Sequence, residues 1–347
     1  MRNVSYISNF TRLLESNRVF AQDPLIVLDV GARGGPQSHW PLYGQDVRVI
    51  GFEPHVEECE RLNAMANKYT FPFVCHPVGL GKENFTARLY EYQNKAANSL
   101  IPPENVENPA YTDIAVVTFE EFAKQHNITH VDFVKMDVER HEMEALEGMK
   151  KWLGGNNSVF GFEIEVHFKP QGETPLFSDI EIFLRKYGYR VADLDIFKAS
   201  SNAMPAPVAW DHRNHLNEPI LGPTITGELV HGDALFFLDL NKIDEDMMRS
   251  KGALYVLKCA SLFEVYGLSD CAAELLLKYR SIVQEVVSVD HALNALVPNH
   301  FGEGLSYKQY LDTYNKRVGR PSLAATASKV AEPLGYRVIR RIKRMAS

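Results

Sequence analysis

The stretch Leu25-Ile-Val-Leu-Asp-Val-Gly-Ala-Arg-Gly-Gly35 limits the fold of this chain more than any other. Its first six residues are aliphatic and β-branched apart from Asp29, which reads as a short buried strand. Glycine then stops the strand, because glycine allows a sharp turn and lets the backbone approach a ligand closely. In open α/β sheets, ligands bind at this carboxyl edge of the strands.

The rest of the pattern agrees with such a sheet. Residues 47–52, 71–75, 131–136 and 159–166 read as further core strands, and residues 55–68, 119–125, 141–151 and 179–187 as helices. Strands alternating with helices predict an α/β fold with a doubly wound, Rossmann-like parallel sheet. Residues 84–92 alternate and read as a strand with one exposed face, and 93–113, with Pro102, Pro103 and Pro109, as a loop. Shorter strand-like pieces lie at 189–194 and 234–239. Residues 1–24 form a lead-in helix with Leu13, Leu14 and Phe20 on one face. Residues 25–240 form the main domain, with 196–232, rich in Pro, Asn and His, as a lid insertion. Residues 245–347 form a helical C-terminal extension.

Bulk properties narrow the function classes. The 347 residues carry a formal net charge of -7, so no global basic field marks a nucleic-acid binder. The four cysteines, Cys59, Cys75, Cys259 and Cys271, show no CxxC spacing and read as free thiols in a reducing compartment. The N-terminus lacks a secretory apolar region, and no run of ~18 apolar residues could span a membrane, so a cytoplasmic protein is expected. The stretch Arg337-Val-Ile-Arg-Arg-Ile-Lys-Arg-Met345 alternates basic and apolar positions, with five basic residues in nine. It could lie as an amphipathic helix on an anionic membrane surface or stay a solvated tail. The helices before it could cover the core or mediate homo-oligomerisation.

Glycine spacing separates ligand classes. A dinucleotide fingerprint needs GxGxxG before a pyrophosphate, whereas this chain has DxGxxGG. Asp29, two residues before Gly31, would repel a pyrophosphate and suits a cationic group such as a methionine ammonium. Glu53, in Gly51-Phe-Glu-Pro54, ends the second strand 22 residues after Gly31 and can accept both hydroxyls of a ribose. The fourth core strand runs into Lys135-Met-Asp137-Val-Glu139-Arg-His141-Glu142, which crowds charge at the same sheet edge. Glu142 also suits the first turn of a helix through the helix dipole. Alternation places Glu163, Glu165 and His167 on one face of the fifth strand, costly unless solvated or paired. Asn98 and Ser99 lie in the polar loop before the fourth core strand.

Taken together, the glycine loop, Gly51-Phe-Glu-Pro54, the Lys135-x-Asp-x-Glu-x-x-Glu142 motif and Glu163-Ile-Glu-Val-His167 resemble the FkbM methyltransferase family, over roughly residues 25–195. The resemblance implies a class I methyltransferase fold, S-adenosylmethionine as cofactor, and O-methylation of a small-molecule or glycan hydroxyl by in-line displacement. It implies cofactor contacts from Asp29, Gly31, Ala32, Arg33, Gly34, Glu53, Pro54 and Asp137, with Val78 and Gly79 beside the adenine. Asp137, His141, Glu163 and His167 are the candidate catalytic bases. Asp137, Glu163 and Glu165 could hold Mg²⁺, since hard oxygen ligands suit that ion. Arg33 and Arg140 depart from the family, which usually has Asn and Gly there. Two other readings are a nicotinamide-dependent oxidoreductase, disfavoured by the glycine spacing, and a non-catalytic scaffold that binds S-adenosylmethionine.

Overall fold

The computed structural model describes residues 9–317 apart from 93, 105, 156–157, 173, 210–222, 241–244 and 299–303. The chain enters through α1 (Asn9–Ser16) and then β1 (Leu25–Val30), β2 (Val47–Phe52), α2 (Val56–Ala64), β3 (Phe73–His76), β4 (Gly79–Leu80), β5 (Phe85–Tyr90) and β6 (Tyr111–Val117). It continues through α3 (Phe119–Gln125), β7 (Phe133–Met136), α4 (Glu142–Glu147), β8 (Gly161–His167), α5 (Phe177–Arg185), β9 (Tyr189–Ala199) and β10 (Glu228–Leu238). The remaining helices are α6 (Glu245–Val265, kinked at Gly252), α7 (Ser269–Lys278), α8 (Arg280–Val283), α9 (Val289–Ala295) and α10 (Tyr307–Arg317).

Seven strands form one sheet in the order β3-β2-β1-β7-β8-β10-β9. The first five are mutually parallel, and β10 runs antiparallel to both its neighbours. This is the class I methyltransferase order. All six residues of β1 are buried, as befits a central strand covered on both faces. After β1 the chain first builds outward to β2 and β3, then returns to place β7 on the other side. The crevice outside the carboxyl ends of β1 and β7 is therefore a topological switch point.

Three expectations need correction. The expected loop 93–113 overlaps a strand, because β6 starts at Tyr111. With β4 and β5 it makes a separate three-stranded sheet, ordered β4-β6-β5. The prolines up to residue 109 dominate the reading of this stretch, yet alternation begins just after them and buries Ile114 and Val116 against Ala87 and Leu89. Secondly, a lid does not occupy all of 196–232. β9 runs on to Ala199 and β10 begins at Glu228, so the ends of that segment are paired strands. Cross-strand pairing overrides their weak local propensity. Thirdly, the sheet is not wholly parallel. β10 pairs antiparallel with both β9 and β8.

The C-terminal helices share the core of the sheet. Leu262, Phe263, Leu276 and Leu293 belong to the same buried cluster as β1, β7 and β8. The Phe263 ring meets Phe237 edge-on at 4.7 Å. Two buried charges of α6 tie it to N-terminal segments of the fold. Glu264 accepts from the backbone amides of Phe10 and Thr11 at 2.9 and 2.7 Å, which satisfies the free N–H groups that begin α1. Buried Lys258 lies 3.3 Å from Asp132, which also accepts from the Ile26 amide at the start of β1. These helices thus brace the edge of the sheet opposite the crevice. No helix among the described residues is long and apolar enough to cross a membrane. The basic stretch 337–345 lies outside the described residues.

Candidate active site

The crevice above β1, β2 and β7 opens into a cleft of about 780 Å³. Of the expected residues, Gly31, Arg33, Glu53, Pro54, Gly79, Asp137, His141 and Asn98 line it. Its apolar wall comes from Leu80, Leu89, Ile114 and Val116 of the small sheet, together with Leu100. None of these five was singled out from sequence. For Ile114 and Val116 the signal is the alternation after Tyr111, which the prolines mask.

The glycine loop is shaped by its contact with β7. Gly31 has φ +81°, and a Cβ there would come within 1.8 Å of the Asp137 carbonyl oxygen. Only glycine allows the two backbones to pass so closely. Lys135 reinforces the contact by donating to the Gly31 carbonyl at 2.8 Å. Ala32 is buried, and its amide donates to Phe52 O at 3.0 Å. The Gly34 amide donates to Glu58 Oε1 at 3.1 Å. Val78 packs against the core beside Gly79, outside the cleft lining.

Asp29 does not line the cleft either. It is buried beneath the loop, 3.4 Å from the Lys135 ammonium. The cation beside Asp29 is thus the chain's own. Burial raises the Asp29 carboxyl to about 6 in spite of Lys135. Burial also opposes charge on Lys135, but Asp137 and Asp29 outweigh it and hold the ammonium protonated.

Glu53 is the buried acid at the end of β2. It accepts from the His55 amide at 2.9 Å, and Arg33 lies 3.5 Å away across the cleft. Burial pushes its carboxyl upward, while the His55 amide and Arg33 pull it down. The large side chain at Arg33 therefore partners the carboxylate expected to bind a ribose.

The turn after β7 is strained. Glu139 and Arg140 both have positive φ, at 54° and 79°. Buried Glu142 holds the turn, accepting from the amides of Val138 and Arg140 at 3.0 and 3.2 Å. Ser99 Oγ donates to the Glu139 carbonyl at 2.8 Å. Arg140 reaches Thr174 Oγ1 at 3.2 Å. Burial lowers the pKa of His141, which begins α4 and lies 3.7 Å from Glu144.

Glu163, Glu165 and His167 do share one face of β8, but they divide between two partners. Glu163 accepts from Gln37 at 2.9 Å. Glu165 lies between His231 of β10, 2.9 Å from its Oε1, and His167, 3.5 Å from its Oε2. Although burial opposes it, these histidines hold the Glu165 carboxyl at about 2. The set Asp137, Glu163 and Glu165 expected to hold a metal does not converge. The carboxylates that approach within 4.8 Å of one another are Asp137, Glu139 and Glu165. Gln37 takes Glu163 out of that group, and two histidines already engage Glu165. His231 and Asp233 of β10 join this cluster and were not singled out from sequence, because only the antiparallel pairing of β10 with β8 brings them there.

The cleft suits S-adenosylmethionine in donor chemistry. It has a carboxylate at the end of β2, an apolar wall beside it, and carboxylates of Asp137 and Glu139 at its far side. Residues 29–191 match the model of the methyltransferase FkbM domain. The chain is similar to the hexuronic acid methyltransferase AglP of Haloferax volcanii, 26% identical over 163 residues, which is 47% of this chain and 65% of that protein. The chain thus matches less than two thirds of that relative's length. Among solved structures, the magnesium protoporphyrin IX methyltransferase of Synechocystis PCC 6803 aligns at 11% identity and a TM-score of 0.32, over 69% of this chain and 85% of that one. Residues 29–191, the part that matches the methyltransferase FkbM domain, hold the glycine loop, Glu53 and the Lys135–Glu142 motif.

Proposed function

We propose that this chain is an S-adenosylmethionine-dependent O-methyltransferase whose acceptor is a hydroxyl of a saccharide or related polyhydroxyl compound. One observation carries this reading. The cleft bounded by the glycine loop and Glu53 reaches Asp137, whose carboxylate abuts the acid–histidine cluster of β8 and β10.

S-adenosylmethionine, when bound, supplies a methyl group already activated on a sulfonium. The chain's residues need only hold, align and deprotonate. Glu53 would accept the ribose hydroxyls, Gly31 and Gly79 would leave room for close backbone approach, and Leu89, Ile114 and Val116 would face the adenine. Asp137 and Glu139 offer carboxyl oxygens to the cationic end. Alignment of two reactants can supply up to ~7–11 kcal/mol. A sugar acceptor fits the dense set of hydrogen-bonding side chains at the far end, and the hexuronic acid substrate named for the relative points the same way.

The test is calorimetric titration with S-adenosylmethionine and S-adenosylhomocysteine, followed by transfer of a labelled methyl to methyl glucuronide and methyl glucoside. Glu53→Ala should weaken binding ~10- to 100-fold, as expected for hydrogen bonds to a charged group. Absence of binding to folded wild-type protein would overturn the reading.

A further inference from the structure

We propose that His231, oriented by Glu165, is the general base that deprotonates the acceptor hydroxyl. This inference rests on the O-methyltransferase reading above.

The geometry is that of an oriented base. His231 Nδ1 lies 2.9 Å from Glu165 Oε1. With the carboxylate accepting, the neutral ring carries its proton on Nδ1 and its lone pair on Nε2. Aromatic neighbours fix the ring plane. Phe197 of β9 lies 4.6 Å away by ring centroid, and His167 stacks nearly parallel at 6.1 Å. The side chain is 37% exposed, so the ring is open to a ligand, whereas His167 is almost wholly enclosed. A base in reach of its substrate and held by a third group is the arrangement that nucleophile activation requires.

Position supports the role. Register pairs Glu165 with Asp233 and His167 with His231, so the Glu165–His231 contact runs diagonally between strands. Through Glu165 the dyad adjoins Asp137 at the end of the cleft. An acceptor lying over β8 and β10 would thus meet His231 on one side and the transferable methyl on the other. Two of the other candidate bases are engaged elsewhere. Glu163 is tied to Gln37, and His141 stands beside Glu144 on α4.

In the step, the acceptor O–H bond breaks and its proton passes to His231 Nε2. The acceptor oxygen forms its bond to the methyl carbon as the carbon–sulfur bond breaks, and the sulfur departs as a neutral thioether. The histidine then returns the proton to solvent.

The experiment measures methyl transfer to the glucuronide acceptor by wild type, His231→Ala and His231→Gln, with S-adenosylmethionine affinity and Tm for each. We expect kcat to fall ~100-fold or more in both variants, in the range of general base catalysis, with cofactor affinity unchanged. Added imidazole should restore part of the rate of His231→Ala, which a merely structural histidine would not allow. Wild-type-like kcat in both variants would overturn the base assignment alone. A fall in kcat that tracks lost Tm and resists imidazole would also overturn it. No cofactor binding or transfer by wild type would instead overturn the parent reading, and the base with it.

Discussion

Lys135 donates to the carbonyl of Gly31 at 2.8 Å while standing 3.4 Å from Asp29 and 3.5 Å from Asp137. One ammonium thereby joins the glycine loop to the charged end of β7. This explains why the first residue of the Lys-x-Asp-x-Glu-x-x-Glu motif is a cation inside an acidic site. Replacing Lys135 with Met would leave buried Asp29 without a counter-charge. Removing one partner of a buried pair costs ~3–5 kcal/mol, and here the lower end applies because Asp29 can take up a proton. Denaturant unfolding at pH 7 should show that loss, and calorimetry should show lost cofactor binding. An unchanged midpoint would refute the tether.

Arg140 stands at φ 79° directly after Glu139 at φ 54°. A side chain in the left-handed region costs roughly 1–2 kcal/mol, which glycine avoids. Arg140→Gly loses the bond to Thr174 Oγ1 at 3.2 Å. Because Arg140 is partly exposed, that bond is the smaller quantity. The variant should gain about 1 kcal/mol in stability, read as a higher Tm. A lower Tm would mean that the Thr174 bond outweighs the strain.

Glu142 is buried, and burial, reinforced by Glu165, raises its carboxyl from 4.5 to about 8. The native state therefore holds this proton more tightly than the unfolded state does. Its contribution to stability is fully present below about pH 4.5 and is lost as pH rises through about 8. Glutamine keeps an oxygen for the Val138 and Arg140 amides but cannot ionise. Glu142→Gln should flatten the decline of Tm between pH 5 and 8, with Asp233 and Glu139, raised to about 7 and about 9, supplying the remainder. Identical Tm–pH curves would contradict this.

Ile114 is buried in the small sheet and faces the cleft, outside the main core cluster. Ile114→Ala should weaken S-adenosylmethionine binding about 10-fold, since a buried aliphatic contact is worth about 1.5 kcal/mol or more. Calorimetric titration checks this, and unaltered affinity would remove the small sheet from the cofactor wall.

Much of this protein can be read from its sequence for a simple physical reason. A buried strand, its glycine stop and the acids at strand ends are local patterns, and each has few structural outcomes. The run 25–35, Glu53 and the Lys135–Glu142 motif therefore led to one crevice and one family. The family's departures at Arg33 and Arg140 were visible as letters. Their consequences, an ion pair with Glu53 and a strained turn, needed coordinates.

The remainder depended on contacts between segments far apart in the chain. Nothing local to Asp29 says that its cation is Lys135. Nothing local to Glu163 says that Gln37 removes it from the carboxylate group that Glu139 joins. His231 lies 66 residues from Glu165 and meets it only because β10 inserts antiparallel beside β8. Sequence determined the strand edge and its donor chemistry, since those follow from local periodicity and backbone freedom. Tertiary structure decided which charges pair and which histidine meets Glu165 across the strands, because pairing depends on register and distance.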